Sequence, residues 1–299
     1  MSPDELCTSD TWSPLTAAST HSQLAGVLGG FLITAIALLF DRNSREAVHI
    51  LALFSSAVLI LMLGSFLFSL ISGNQAPDGA DRDAVCAISW TQTALSTGML
   101  AAGTTALFGG LGWMLAAHAV SRAGSADIDD VAAYSFLADL GGWLTFAAAM
   151  ASTLILSETT VDYLRFMYDR SPSTGLLAVI TAAAALAVLV EFWFVYVRTR
   201  ELRRSLATTA EETRLALRSI KVATIGLIGL AVAAGWLALS APRLPREWMT
   251  EPGPGVVGVV VILAFAVPVF VATAICHSVA STDVRRVRLR SRQPRATSA

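Results

Sequence analysis

Seven long apolar runs constrain this chain more than any other feature of its sequence. They lie near residues 23–40, 48–72, 86–120, 131–157, 174–198, 219–240 and 255–279. Each is long enough to cross about 30 Å of hydrocarbon at about 1.5 Å per residue. Only 14% of the residues are charged, whereas soluble domains contain about 25%. The sequence therefore predicts an all-α polytopic membrane protein, a bundle of seven transmembrane helices.

The arginines predict the orientation of this bundle. The connection between the fifth and sixth runs and the tail at 281–299 together hold most of the chain's 21 Lys and Arg. Short segments rich in these residues stay in the cytoplasm. We therefore expect an external N-terminal segment at 1–22, a membrane domain at 23–280 with a cytoplasmic helical hairpin at 199–218, and a cytoplasmic C-terminus. A cell-membrane location follows, and the excess of Arg over a single Lys indicates a bacterial source.

The third apolar run is too long for one membrane thickness. A helix over 86–120 would measure about 52 Å, so it either projects beyond the membrane or breaks near Gly109, Gly110 and Gly112. Its polar residues form the longest polar stripe of the chain, comprising Ser89, Gln92, Thr93, Ser96, Thr97 and Thr104. This stripe indicates either hydrogen bonding between helices or the lining of a hydrated path.

Two carboxylates, Asp139 and Glu191, lie well inside apolar runs. An ionisable residue at such a position usually faces the interior of a bundle or a water-filled cavity. Arg198 lies two turns after Glu191 on the same helix face and is a candidate partner for it. Asp139 has no basic residue within its own helix, so copies of Asp139 around a symmetry axis would form a ring that selects cations.

Three histidines are predicted at similar depth near the cytoplasmic ends of their helices: His49, His118 and His277. If these ends converged, the imidazoles would bind zinc or haem iron; otherwise no cofactor is expected. Cys7 and Cys86 are both predicted to be external, where an oxidising environment favours a disulfide between them.

The common signatures of enzymes are missing from the sequence. It has no phosphate-binding glycine loop, HExxH zinc pair or GxSxG elbow. The leading hypothesis is a homo-oligomeric small-ion channel or permeation pathway, lined by the polar face of the third helix, Asp139 and Glu191. The alternatives are a membrane sensor or assembly subunit that docks a cytoplasmic protein through 199–218 and the tail, and a metal-dependent enzyme that uses the histidines. Besides the bilayer, anionic lipids are expected to bind the tail, and no nucleic acid is expected to bind.

Overall fold

The structure, a computed structural model, describes residues 7–8, 12–40, 45–74, 81–123, 128–168, 173–208, 218–245, 247–250 and 253–278. Within them the prediction of an all-helical chain with seven helices of membrane-spanning length and apolarity is confirmed. This is compatible with an integral membrane protein. The seven helices are α1 (Pro14–Leu39), α2 (Arg45–Ser72), α3 (Arg82–Ala123), α4 (Ile128–Met167), α5 (Thr174–Thr208), α6 (Arg218–Ser240) and α7 (Pro254–Ser278). A 3-10 turn at Ala241–Arg243 and a short helix at Glu247–Thr250 join α6 to α7.

Two helix ends differ from the sequence prediction by two turns or more. Helix α1 begins at Pro14 rather than near residue 23, and Pro favours the first helical turn because it has no N–H to satisfy there. The early turns are polar, but they pack against α2, where Ser22 Oγ donates to the carbonyl of Ser65 at 2.9 Å and Ser65 Oγ donates back to the carbonyl of Ser22. Helix α4 runs on to Met167 rather than ending near residue 157. Helix α5 continues to Thr208, within the range predicted for the helical hairpin. The remainder of the predicted hairpin, at 209–217, and the tail at 281–299 lie outside the described residues.

Helix α3 is the central helix of the bundle and is unbroken over 42 residues. In the most apolar 18-residue stretch of α3, 67% of the residues are buried, compared with 22% in that of α1 and 17% in that of α5. The alternative of a break at its glycines is wrong, because those glycines are packing positions. A Cβ on Gly112 would lie 2.5 Å from the carbonyl oxygen of Gly141, so α3 and α4 touch backbone to backbone there. At about 1.5 Å per residue α3 is about 63 Å long, so it projects beyond one hydrocarbon thickness.

Helix α7 contains a π-helical segment, Ile262–Ala266, two residues before Pro268. Pro268 has no N–H to donate to the carbonyl of Ala264, one turn earlier, and this disturbs the regular ladder. Helix α3 packs closely against the segment through Gly98, where a Cβ would lie 2.9 Å from the carbonyl oxygen of Ala264. A larger residue at Gly98 would push α3 away from α7.

The two ends of the bundle are distinguished by their side chains. Cys7 and Cys86 form a disulfide beside the start of α3, with Cα atoms 5.2 Å apart, and we call this the disulfide end. Arg198 and Arg203 lie near the opposite end, on the last turns of α5, and we call it the arginine end. In the predicted orientation the disulfide end is external.

Candidate functional site

The polar stripe of α3 faces the interior of a single chain. Ser89, Thr93 and Ser96 are fully buried, and Gln92 and Thr97 are each only 4% exposed, while Thr104 is partly exposed. Because α3 is the central helix, its polar face meets other helices of the same bundle. We call the five buried residues the polar row; they are Ser89, Gln92, Thr93, Ser96 and Thr97.

The part of the polar row nearest the disulfide end is hydrogen-bonded within the protein. Ser89 Oγ donates to the carbonyl of Val85 at 2.9 Å, and Gln92 Nε2 donates to the carbonyl of Ala238 in α6 at 2.9 Å. The side-chain amide of Asn74 donates to Gln92 Oε1 at 3.3 Å and to Ser89 Oγ at 3.2 Å. These contacts agree with hydrogen bonding between helices, one of the two interpretations of the stripe.

The rest of the polar row is different, because the hydroxyls of Thr93, Ser96 and Thr97 are buried and have no hydrogen-bond partner among the residues that the structure describes. Hydroxyls elsewhere on α3 do have partners: Thr91 and Thr105 each donate to the carbonyl four residues earlier at 2.9 Å. A buried hydroxyl without a partner costs roughly 1–3 kcal/mol. Three of them on adjacent positions of one helix therefore mark a place suited to water or a polar ligand rather than to packing alone.

A cavity of about 750 Å³ lies beside this row, between α1, α3, α4 and α5, and it is open to the surface of the bundle along α4, where Leu154 and Ile155 are about half exposed. Thr97 is its lining residue from α3, so one residue of the polar row borders the cavity, while its hydroxyl oxygen is buried. Its principal polar lining residues are His21, Thr97, Glu158, Asp162, Arg165 and Thr181.

Two carboxylates and one guanidinium lie along the α4 wall of this cavity. Glu158, Asp162 and Arg165 are spaced i, i+4, i+7, which places them on one helix face. Asp162 Oδ1 lies 3.7 Å from Arg165 Nη1, and Asp162 Oδ2 accepts a hydrogen bond from Trp12 Nε1 at 2.7 Å. The wall therefore carries a net charge of −1 and favours cations. This spacing is visible in the sequence, but it lies beyond residue 157, where the fourth apolar run ends, and the continuation of α4 to Met167 places all three residues on one helix.

The disulfide and a group of aromatic rings fix Trp12 at the cavity. Trp90 Nε1 donates to the carbonyl of Cys7 at 3.1 Å, and the rings of Trp12 and Trp90 meet edge to face at 5.2 Å between centroids. On its other side Trp90 stacks on Phe166 of α4. Because Cys7 is covalently joined to Cys86 on α3, the segment before α1 is anchored to the central helix. This anchoring positions the Trp12 indole against Asp162.

Asp139 has a partner that the sequence did not indicate. It is 8% exposed and forms a salt bridge with Arg203 of α5, 64 residues later in the chain. The last turns of α5 reach Asp139 because α5 extends past residue 198, where the apolar run ends. Since the charge of Asp139 is matched within one chain, the cation-selecting ring of Asp139 copies gains no support from the structure.

Glu191 is fully buried at the contact of α5 with α4 and α7. Its Oε1 accepts a hydrogen bond from Thr153 Oγ1 at 3.3 Å, and the hydroxyl of Thr273 in α7 lies beside the carboxyl. Its Oε2 accepts no hydrogen bond from the described residues. The partner suggested by the sequence, Arg198, instead lies 3.7 Å from Glu201 and 3.1 Å from His277 Nε2. Glu191 and Asp139, which look alike in the sequence, therefore have opposite environments.

The histidines contact different side chains rather than one another. The ring of His118 meets Tyr134, and the ring of His277 meets Phe194 at 4.9 Å between centroids. Within the described part of the chain, no three His, Cys, Asp or Glu side chains are arranged to hold a metal ion. The structure thus does not bring His49, His118 and His277 together as a ligand set.

Comparisons with protein-family models, with curated proteins and with solved structures find no match. The function therefore has to be argued from the chemistry of this chain's own residues.

Proposed function

We propose that the protein is a small-ion permeation pathway that runs through a single bundle, from the cavity along the polar row of α3. The observation that carries this proposal is the set of three buried hydroxyls without partners among the described residues, those of Thr93, Ser96 and Thr97, together with the position of Thr97 on the wall of the cavity. Their oxygens can replace part of the hydration shell of an ion or hold a chain of water. Apolar side chains at these three positions would avoid the free-energy cost of burying a hydroxyl without a hydrogen-bond partner.

The charge of the cavity wall favours a cation, because the excess of carboxylates over guanidinium on α4 attracts positive charge. A volume of about 750 Å³ would also admit a small organic molecule. Selection by size comes instead from the helix packing next to Thr97, where Gly98 lies against the backbone of α7 at Ala264. A bulky substrate would not pass that contact without separating two helices.

Two separate groups of hydrogen-bonded side chains lie between the cavity and Glu191, on α3 and α4. One turn beyond Thr97, the carbonyl of Ala101 accepts hydrogen bonds from Thr105 Oγ1 at 2.9 Å and from Ser152 Oγ at 3.3 Å. Thr153 follows Ser152 on α4 and donates to Glu191. These contacts support a route through the interior of α3, α4 and α5. Asp139 is left out of it because Arg203 already neutralises its charge.

The test is ion flux across sealed liposomes that contain the purified protein. We expect flux of a small cation that depends on the protein, and a decrease of about tenfold in the double variant Ser96→Ala/Thr97→Val, because the loss of one favourable contact of about 1.4 kcal/mol corresponds to a factor of ten. The matched control is Thr91→Val, which removes a hydroxyl from the same helix that donates to Ala87 instead. Absence of any protein-dependent flux, or an equal decrease in the control, would refute the proposal.

A further inference from the structure

Glu191 is a buried acid that is not paired with a cation. It is 0% exposed, and buried apolar side chains lie within about one helical turn of it or of the residues that contact it: Val195 on α5, Ala149 on α4 and Ala272 on α7. Among the side chains that the structure describes, the salt bridges involve Asp139, Asp162 and Glu201 but not Glu191. A carboxylate in such surroundings must acquire a balancing positive charge from a ligand.

The groups that face Glu191 are too few for a metal ion. From α4 the hydroxyl of Thr153 donates to Oε1. From α7 the Thr273 hydroxyl and the Cys276 thiol lie beside the carboxyl, and Cys276 is the titratable group among these neighbours. Oxygen-bound cations such as Ca²⁺ take about six to eight oxygen ligands. A proton needs one oxygen, and in the described part of the chain no group donates a hydrogen bond to Oε2.

We propose that Glu191 is a proton-binding carboxyl and that the proton is the ion carried by the pathway, an inference that rests on the proposed function. A proton delivered through water in the cavity bonds to Oε2, which converts the carboxylate to a neutral carboxylic acid. Release of the same proton towards the arginine end restores the carboxylate. One positive charge crosses in each cycle, and no other reactant is consumed.

The geometry provides neighbours on both sides of Glu191. Towards the cavity, Thr153 is adjacent to Ser152, which bonds to Ala101 one turn from Thr97. Towards the arginine end, Cys276 lies next to the carboxyl and is followed in sequence by His277, which contacts Arg198. Glu191 therefore lies between two groups of polar side chains within an otherwise apolar layer.

The test is labelling with dicyclohexylcarbodiimide, which reacts with protonated carboxyls in apolar surroundings. The carboxyl proton moves to one carbodiimide nitrogen, the carboxyl oxygen bonds to the central carbon, and an oxygen-to-nitrogen acyl shift gives a stable N-acylurea. In the full-length protein in liposomes, we expect one adduct on the peptide containing Glu191, decreasing as the pH rises and absent in Glu191→Gln. Asp139, paired with Arg203, is the internal control and should remain unlabelled. No adduct on Glu191 at any pH, or equal labelling of Asp139, would overturn the inference.

Flux measured on the same liposomes separates this inference from the proposed function. Proton flux that is lost in Glu191→Gln and retained in Glu191→Asp supports both. The glutamine variant should still fold, since its amide oxygen can accept the Thr153 hydrogen bond, and an unchanged melting temperature checks this. Labelling of Glu191 without any ion flux would leave the proton site standing and refute the pathway. Flux of Na⁺ or K⁺ with Glu191 unlabelled would refute the proton site and leave the pathway standing.

Discussion

Removing the hydroxyl of Thr97 should stabilise the protein, which is the reverse of the usual effect of altering a buried polar residue. Thr97 is 4% exposed, and its Oγ1 has no hydrogen-bond partner within the described ranges of the chain. Valine has nearly the same shape as threonine, so Thr97→Val leaves little new space and removes a buried polar group that costs roughly 1–3 kcal/mol. We expect the free energy of unfolding to rise by about 1 kcal/mol.

The matched substitution is Thr105→Val, two turns along the same helix. Thr105 Oγ1 donates to the carbonyl of Ala101 at 2.9 Å and lies 3.1 Å from Ser152 Oγ. Its removal breaks both contacts and leaves Ser152 with one partner fewer, so the free energy of unfolding should fall by about 1 kcal/mol. The two variants differ by one oxygen each, yet they should move the stability in opposite directions.

Thermal unfolding in detergent, followed by tryptophan fluorescence, measures this difference. Trp90 and Trp113 are buried in the folded chain and report the loss of packing around α3. A gap of about 2 kcal/mol corresponds to a melting-temperature difference of roughly 3 °C for a chain of this size. Equal destabilisation by Thr97→Val and Thr105→Val would mean that the Thr97 hydroxyl has a partner. The polar row would then form ordinary hydrogen bonds between helices. The proposed ion pathway would lose the observation that supports it.

Two further predictions concern the contact between α3 and α4 and the orientation of the bundle in the membrane. Gly112→Ala should lower the free energy of unfolding by about 1–3 kcal/mol, since its Cβ would meet the carbonyl oxygen of Gly141 at 2.5 Å. Gly175→Ala, which meets nothing within 4 Å, should change it by no more than about 0.5 kcal/mol in the same melting assay. In intact cells a membrane-impermeant maleimide should label Cys7 and Cys86 only after reduction of their disulfide. Labelling confined to inverted membrane vesicles would show that the disulfide end is cytoplasmic and that the predicted orientation is wrong.

The number and approximate position of the helices could be predicted from the sequence because both depend on local properties. Apolar runs of membrane length form helices wherever they occur, since every backbone N–H and C=O in lipid must be paired within the segment. The polar stripe of α3 was also visible, because a periodicity of 3.6 residues places its members on one face. Helix ends were predicted less well where polar turns such as those between Pro14 and Ser22 pack against a neighbouring helix.

Only the tertiary structure decided which of these polar groups are satisfied. Asp139 and Glu191 are indistinguishable as isolated acids in apolar runs, yet α5 brings Arg203 to Asp139. The described residues beside the Glu191 carboxyl are Thr153 of α4 and Thr273 and Cys276 of α7, and none of them is a cation. The partners lie tens of residues away in sequence, so no local pattern indicates them. Whether a buried polar group finds a partner depends on which helix faces it and on which residue of that helix lies at the same depth in the bundle. Side-chain packing across the whole bundle determines both.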